Sequence, residues 1–245
     1  MTAGSISIPR RFNGPLENGQ GGYSAGIAAG LLGGAVEVTL RRPVPLDTDL
    51  AMVREDDASL ALLDGDTRMI EARSAPELRV DVPPAVAPSE AWEASAGYRG
   101  LDEGPFSQCF VCGLAREDAF GVFAGEVERR EVVASPWTPP PWTAGNGGDV
   151  LPEFVWAVLD CPTFFAAYIG EEPPMSVLGR LTARIDAPAR AGEEHVVMAW
   201  PLEADGRKRL AGAALLSREG EPLAVARALM IEPRESQGAR AVRRA

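Results

Sequence analysis

Leu181-Thr182-Ala183-Arg184-Ile185-Asp186-Ala187-Pro188 reads as a strand-forming run closed by a proline. It has a counterpart 143 residues earlier, in Val38-Thr39-Leu40-Arg41-Arg42-Pro43-Val44-Pro45. Each run is preceded by a helix start. Gly21-Gly22-Tyr23 opens a run of small residues, and Pro152-Glu153-Phe154 opens the second helix. Downstream, Ala61-Leu62-Leu63 and Ala72-Arg73 recur in the same order as Ala214-Leu215-Leu216 and Ala226-Arg227. The offset between copies grows from 131 at the helix starts to 153 and 154 at these last motifs. An offset that only grows, by insertion, and then settles is the mark of a duplicated unit.

Strand signals fill most of what remains. The spacing of apolar residues predicts strands over 35–44, 50–54, 59–63 and 67–73, then over 120–134, 176–185, 195–202, 210–217 and 222–231. Leu63-Asp64-Gly65-Asp66, Ala204-Asp205-Gly206-Arg207 and Arg218-Glu219-Gly220-Glu221 each place a glycine where a hairpin needs positive φ, so consecutive strands are expected to run antiparallel. One helix per unit followed by an antiparallel meander gives an α+β class, with each sheet wrapped around a single central helix. Segment 83–105, with Pro83-Pro84, Pro88, Gly100 and Gly104, is the expected linker. It separates an N-terminal lobe (1–82) from a C-terminal lobe (106–233), and a flexible tail (234–245) follows. Pro139-Pro140-Pro141 marks 136–142 as a loop, since proline neither donates to a ladder nor continues a helix.

Composition narrows the function classes. The chain has 245 residues, 46% of them hydrophobic, enough for two modest cores. Its formal net charge of −11 argues against nucleic acid or an anionic membrane as partner, because both require clustered positive charge. Arg234, Arg240, Arg243 and Arg244 are the exception, read as a solvated end. The apolar run 25–35 is too short and too glycine-rich to span a bilayer, and no signal pattern precedes it, so a cytoplasmic location is expected. Three cysteines without a secretory signal do not suggest a disulfide framework.

Several motifs have sharper readings that their context weakens. Gly22-Tyr23-Ser24-Ala25-Gly26 matches a nucleophile elbow, but residues 13–20 are polar and glycine-broken rather than a buried strand, and the single histidine, His195, falls in a predicted strand. Cys109 and Cys112 form a C-x-x-C for which only Cys161 and His195 remain as soft ligands, so no metal or other cofactor is expected and the motif reads as a turn with two small apolar side chains. Trp156, Phe164, Phe165 and Tyr168 cluster around the second helix, with Trp137 and Trp142 upstream. They either line an acyl pocket or belong to the core.

Gln20-Gly21-Gly22-Tyr23, Cys109-Phe110-Val111-Cys112-Gly113, Phe154-Val155-Trp156-Ala157-Val158-Leu159-Asp160-Cys161-Pro162 and the segment from Gly206-Arg207-Lys208 to Ala226-Arg227-Ala228 together resemble the hotdog-fold thioesterase-like superfamily in its double-hotdog form. The resemblance implies two tandem hotdog domains and an active site at their interface. There, backbone N–H groups of a Gly-Gly turn would face a thioester carbonyl, while a carboxylate on the facing helix attacks it or activates water. It further implies an acyl-CoA or other acyl thioester as substrate, and it leaves room for a homo-oligomer. Gln20 stands where many members carry histidine.

Physical chemistry supports such a division of labour. A helix N-terminus offers unpaired donors and partial positive charge to an oxyanion, and glycine lets a ligand approach the backbone. The position matching Asp160 in the first helix is Ala29, and the position matching Gly21-Gly22 in the second is Pro152-Glu153, so each lobe keeps half a site. On this reading the catalytic set is Asp160 as nucleophile or general base, with the N–H groups of Gly22 and Tyr23 as oxyanion donors. Gln20, Gly21, Trp156 and Phe164 would contact substrate. Glu153 is either a second acid beside Asp160 or an ordinary first-turn residue, and Pro162 either re-aims Asp160 or ends the helix. Two functions stay open: thioester hydrolysis, and non-catalytic binding of an acyl group or small ligand. A hydratase would need a histidine near the aspartate, and none lies in that segment.

Overall fold

Among the described residues, short apolar runs punctuated by glycine turns produce eleven antiparallel strands in one sheet, with three α-helices packed on it. The structure, a computed structural model, describes residues 2–100, 104 and 106–233. Strands β1 (Thr2–Ile6), β2 (Val36–Leu40), β3 (Leu50–Asp56), β4 (Ser59–Asp64) and β5 (Thr67–Ser74) make one half of the sheet. The other half comprises β6 (Gly125–Glu126), β7 (Val133–Trp137), β8 (Val177–Ile185), β9 (His195–Asp205), β10 (Lys208–Leu216) and β11 (Pro222–Ile231). The strand order is β1-β3-β4-β5-β2-β8-β11-β10-β9-β7-β6. Without the two-residue β6, the order reads as one pattern followed by its mirror image. The halves meet where β2 pairs antiparallel with β8, in the register Val36↔Ala183 to Thr39↔Arg180.

Glycine chemistry sets the hairpins. Gly65 and Gly206 take φ of +56° and +55° at the first central position of two-residue loops, the glycine-first turn whose twist matches paired strands.

Helix α1 (Gly21–Gly30) lies against the first half, where it touches β2 and β5, and α3 (Pro152–Ala166) lies against β8 to β11. Both helices are buried nearly all round, which suits their composition of glycine, alanine and apolar residues without a charged face. They pack on each other through glycine. A β-carbon at Gly22 would come within 2.5 Å of the Trp156 carbonyl oxygen and 2.6 Å of the Asp160 β-carbon. One at Gly26 would come within 2.7 Å of the Glu153 α-carbon and 2.8 Å of the Trp156 β-carbon. Only hydrogen fits at either site, so the small-residue run of α1 fixes how close the helices come. The main core is continuous across the seam, from Val36, Leu60 and Ile70 to Leu181, Val197 and Leu215.

Segment 83–105 holds a feature not expected from its sequence. Helix α2 (Pro88–Ser95), capped by the Glu90 carboxylate on the Ala87 N–H, buries Ala91 and Ala94 with Val86 in a second apolar cluster. The partners there are Val132, Ala134, Val196, Met198, Trp200 and Leu216, so α2 and Val86 pack on the second half-sheet on the face away from α3.

Other departures have local causes. β1 pairs with β3 although its sequence is too short and glycine-broken to announce a strand. The expected strand 120–134 is interrupted: only Gly125–Glu126 pairs, and a turn with Arg129 at φ +60° precedes β7. Pro136, expected in a loop, lies in β7 opposite Val196, while β6 covers the other edge of β7 only at Val133 and Ala134, so its missing N–H costs no ladder bond. Pro162 sits inside α3, which runs on to Ala166 instead of ending. The arginine-rich tail lies outside the described residues. Among the described residues, no helix is long and apolar enough to cross a membrane.

Candidate functional site

Asp160 faces the N-terminus of α1 across the glycine contact between the helices. Its Oδ2 accepts a 2.7 Å hydrogen bond from the Gly22 N–H and a 2.8 Å bond from Gln20 Nε2. Among the described residues Oδ1 accepts none, which leaves one anchored oxygen and one available. Gly21 completes the wall, since a β-carbon there would come within 3.0 Å of Asp160 Oδ2 and of Leu178.

Gln20 organises the turn. As the residue capping α1, it accepts the Tyr23 N–H through Oε1 at 2.6 Å. Its Nε2 also reaches the Ala157 carbonyl at 3.2 Å. The side-chain amide therefore ties the start of α1 to the middle of α3, with its orientation set by donors and acceptors on both sides.

Burial dominates the electrostatics. Asp160 is only 7% exposed, and desolvation pushes its pKa up to about 7, against the opposing hydrogen bond from the Gly22 N–H. A carboxyl poised near neutrality exists in both protonation states under ordinary conditions, as proton-transfer chemistry requires. The positive end of α1 supplies the favourable partial charge opposite the carboxylate.

The structure thus brings Gln20, Gly21, Gly22 and Asp160 together, but the two N–H groups assigned to an oxyanion are already engaged: Gly22 with Asp160, Tyr23 with Gln20. Trp156 is buried against Gly22 and Gly26 as the spacer between helices. Phe164 packs elsewhere, in a cluster with Ala167, Tyr168 and Met230 that borders the site through Leu178 and through Thr163, whose hydroxyl donates to the Asp160 carbonyl. Phe165 and Tyr168 pack with Phe164, whereas Trp137 and Trp142 join an aromatic cluster with Phe12, Tyr23, Phe110, Phe120 and Phe154, in which the Phe12 ring lies 4.3 Å from Tyr23 and 5.5 Å from Phe154. Glu153 lies two turns before Asp160, with its backbone against Gly26.

The serine elbow has no support. Ser24 is fully buried inside α1 rather than on a strand-to-helix turn, with its Oγ lacking any partner. His195 is buried in β9 with Nε2 on the Arg190 carbonyl. The C-x-x-C pair is not isolated: α3 brings the Cys161 sulfur to both, all three Sγ atoms lying within 4.8 Å of one another. Nothing in the spacing of a lone pair foretells a third thiol arriving from the residue after Asp160.

The sequence matches no protein-family model and no curated protein. Solved structures are informative about shape. The tesB protein of Mycobacterium avium subsp. paratuberculosis superposes with a TM-score of 0.59 at 14% identity, covering 93% of this chain and 91% of that one. A candidate thioesterase of Novosphingobium aromaticivorans gives 0.61 at 11% identity over 94% and 95% of the two chains. A conserved Alicyclobacillus acidocaldarius protein of unknown function, described as having a hot dog fold, gives 0.57 at 12% identity over 94% and 92%. Broad coverage at this level, together with one large antiparallel sheet carrying buried central helices, establishes that the chain has the α+β hotdog fold.

Proposed function

We propose that the protein is a thioesterase that hydrolyses an acyl-CoA or related acyl thioester, with Asp160 as nucleophile or general base. The observation that carries this reading is the buried Asp160 carboxylate, held through one oxygen at the N-terminus of α1 with the other oxygen free. As general base, Oδ1 would take a proton from water attacking the thioester carbonyl, and as the C–S bond breaks that proton would pass to the departing thiolate. As nucleophile, it would attack that carbon itself, expel the thiolate and form a mixed anhydride that water then hydrolyses to the free acid. Either route places negative charge on the carbonyl oxygen near the first turn of α1. The Tyr23 N–H becomes a donor to it once Gln20 turns its amide away, so substrate binding carries a local rearrangement.

The reading includes an architecture of two hotdog units in tandem, 1–82 and 106–233, with segment 83–105 connecting them. The mirror-image strand order and the pairing of β2 with β8 support it. So does the asymmetry of the two helices, since Ala29 stands where a second carboxylate would be and Pro152 offers no N–H. One working site per chain follows.

One observation favours a second reading, a binding protein that kept the fold without the chemistry: both N–H groups of the turn are satisfied by protein acceptors. Incubating the purified protein with acyl-CoA esters of short, long, branched and aromatic acids decides between them. Turnover above the uncatalysed rate supports the hydrolase, and saturable binding without turnover supports the binder.

A further inference from the structure

Outside the carboxylate site, the described residues hold one cluster of metal-ligating side chains, Cys109, Cys112 and Cys161. We propose that Cys109, Cys112 and Cys161 form a three-thiolate site for a thiophilic closed-shell cation, zinc(II) or copper(I). The geometry is close to what such an ion needs. Three sulfurs on one zinc at about 2.3 Å stand roughly 3.8 Å from one another, and the Cys109 and Cys161 sulfurs are 4.0 Å apart, with all three pairs within 4.8 Å.

The turn that presents two of the thiols is fixed by its surroundings. The Gly113 N–H closes it on the Cys109 carbonyl at 2.8 Å, and a β-carbon at Gly113 would come within 2.5 Å of the Ser107 carbonyl oxygen and 2.6 Å of the Cys109 backbone. Phe110 N–H binds the Asn13 carbonyl, and the Tyr98 hydroxyl donates to the Cys112 carbonyl at 2.8 Å. A C-x-x-C-G turn pinned so that both sulfurs face the same helix does more than fill space with small apolar groups. The third sulfur arrives from α3, a separate element, and Gln20 Nε2 lies 3.5 Å from it. Cys109 is buried, while Cys112 and Cys161 keep some exposed surface. With only three side-chain ligands, copper(I) would be three-coordinate, whereas zinc(II) would retain one open position.

Binding moves protons but no electrons. As each sulfur–metal bond forms, the corresponding S–H proton passes to solvent, up to three in all, and no oxidant is needed. A bound ion would tether the 109–113 turn to α3 beside Asp160. Hydrolysis need not occur for the site to bind, so its test is independent of the proposed activity.

The test uses the full-length chain purified under reducing conditions, with metal content measured directly, followed by titration of stripped protein with zinc(II), with cobalt(II) as the spectroscopic substitute, and with copper(I). The expected result is one equivalent bound, thiolate-to-cobalt charge-transfer bands, and a rise in melting temperature on reloading. Cys161→Ser should lose tight binding while keeping the wild-type circular dichroism spectrum. If that variant does not fold, Cys112→Ser, on the partly accessible side of the turn, serves the same purpose. Saturation with zinc alone or copper(I) alone identifies the ion. Failure of reduced protein to take up any of the three, or a native mass two hydrogens low from a Cys109–Cys112 disulfide, would overturn the proposal.

Discussion

At the scale of single residues, the decisive feature is a carboxylate held where water is scarce. Burial raises the Asp160 pKa from the ordinary carboxylate value to about 7, so the folded protein binds a proton more tightly than the unfolded chain. The sign follows. The contribution to stability is full below the unfolded value near 3.8 and is lost as pH rises through about 7. Wild-type protein should therefore lose stability between roughly pH 4 and 7, and Asp160→Asn should flatten that slope. Urea denaturation across this range, with a chelator present to strip any cation from the neighbouring thiols, checks it, and equal slopes would contradict the assignment. Ser24 gives the complementary case. Its buried hydroxyl has no partner, so Ser24→Ala should leave the melting temperature unchanged or raise it and keep any hydrolysis within a few-fold. A large loss of activity in that variant would restore a serine mechanism.

At the scale of elements, the crossing of α1 and α3 positions the site, and glycine sets the crossing. Gly22→Ala should destabilise by about 1–3 kcal/mol, the usual cost of overpacking, because its methyl group would press on backbone atoms that cannot rotate away. Calorimetry would show it, and an unchanged melting temperature would mean the helices are less tightly apposed. Much at this scale was legible. The Gly-Gly turn, the hairpin glycines and the proline-led second helix each announce a local conformation. Asp160 stood out through the resemblance and because the matching position in the first helix is Ala29. What escaped depends on tertiary partners. Gln20 gives no hint in sequence that it will hold Tyr23 and Asp160 at once, β1 becomes a strand only because β3 is there to pair with, and α2 hides in a proline-rich segment whose few alanines suffice to cover a half-sheet.

At the scale of the molecule, the two halves share a core and a continuous sheet, so they should unfold together. Leu62→Ala in the first half and Leu215→Ala in the second, both fully buried, should each lower the same single thermal transition, by about 2–5 kcal/mol. Two separable transitions would show that the β2–β8 seam and the α1–α3 contact do not couple them. The recurring motifs were readable from offsets that grow and settle, but the β2–β8 pairing was not, because neither strand carries a mark of pairing with the other. The joint matters because it places the Asp160 carboxylate of one half at the helix start of the other, and the proposed hydrolysis depends on that placement. Its most direct test is the rate of acyl-CoA hydrolysis by wild type and by Asp160→Asn on whichever ester the wild type turns over. Wild type should show measurable turnover, with kcat in the variant lower by roughly 10²–10⁴ and the Michaelis constant little changed. Turnover undiminished in Asp160→Asn would contradict that role for the carboxylate.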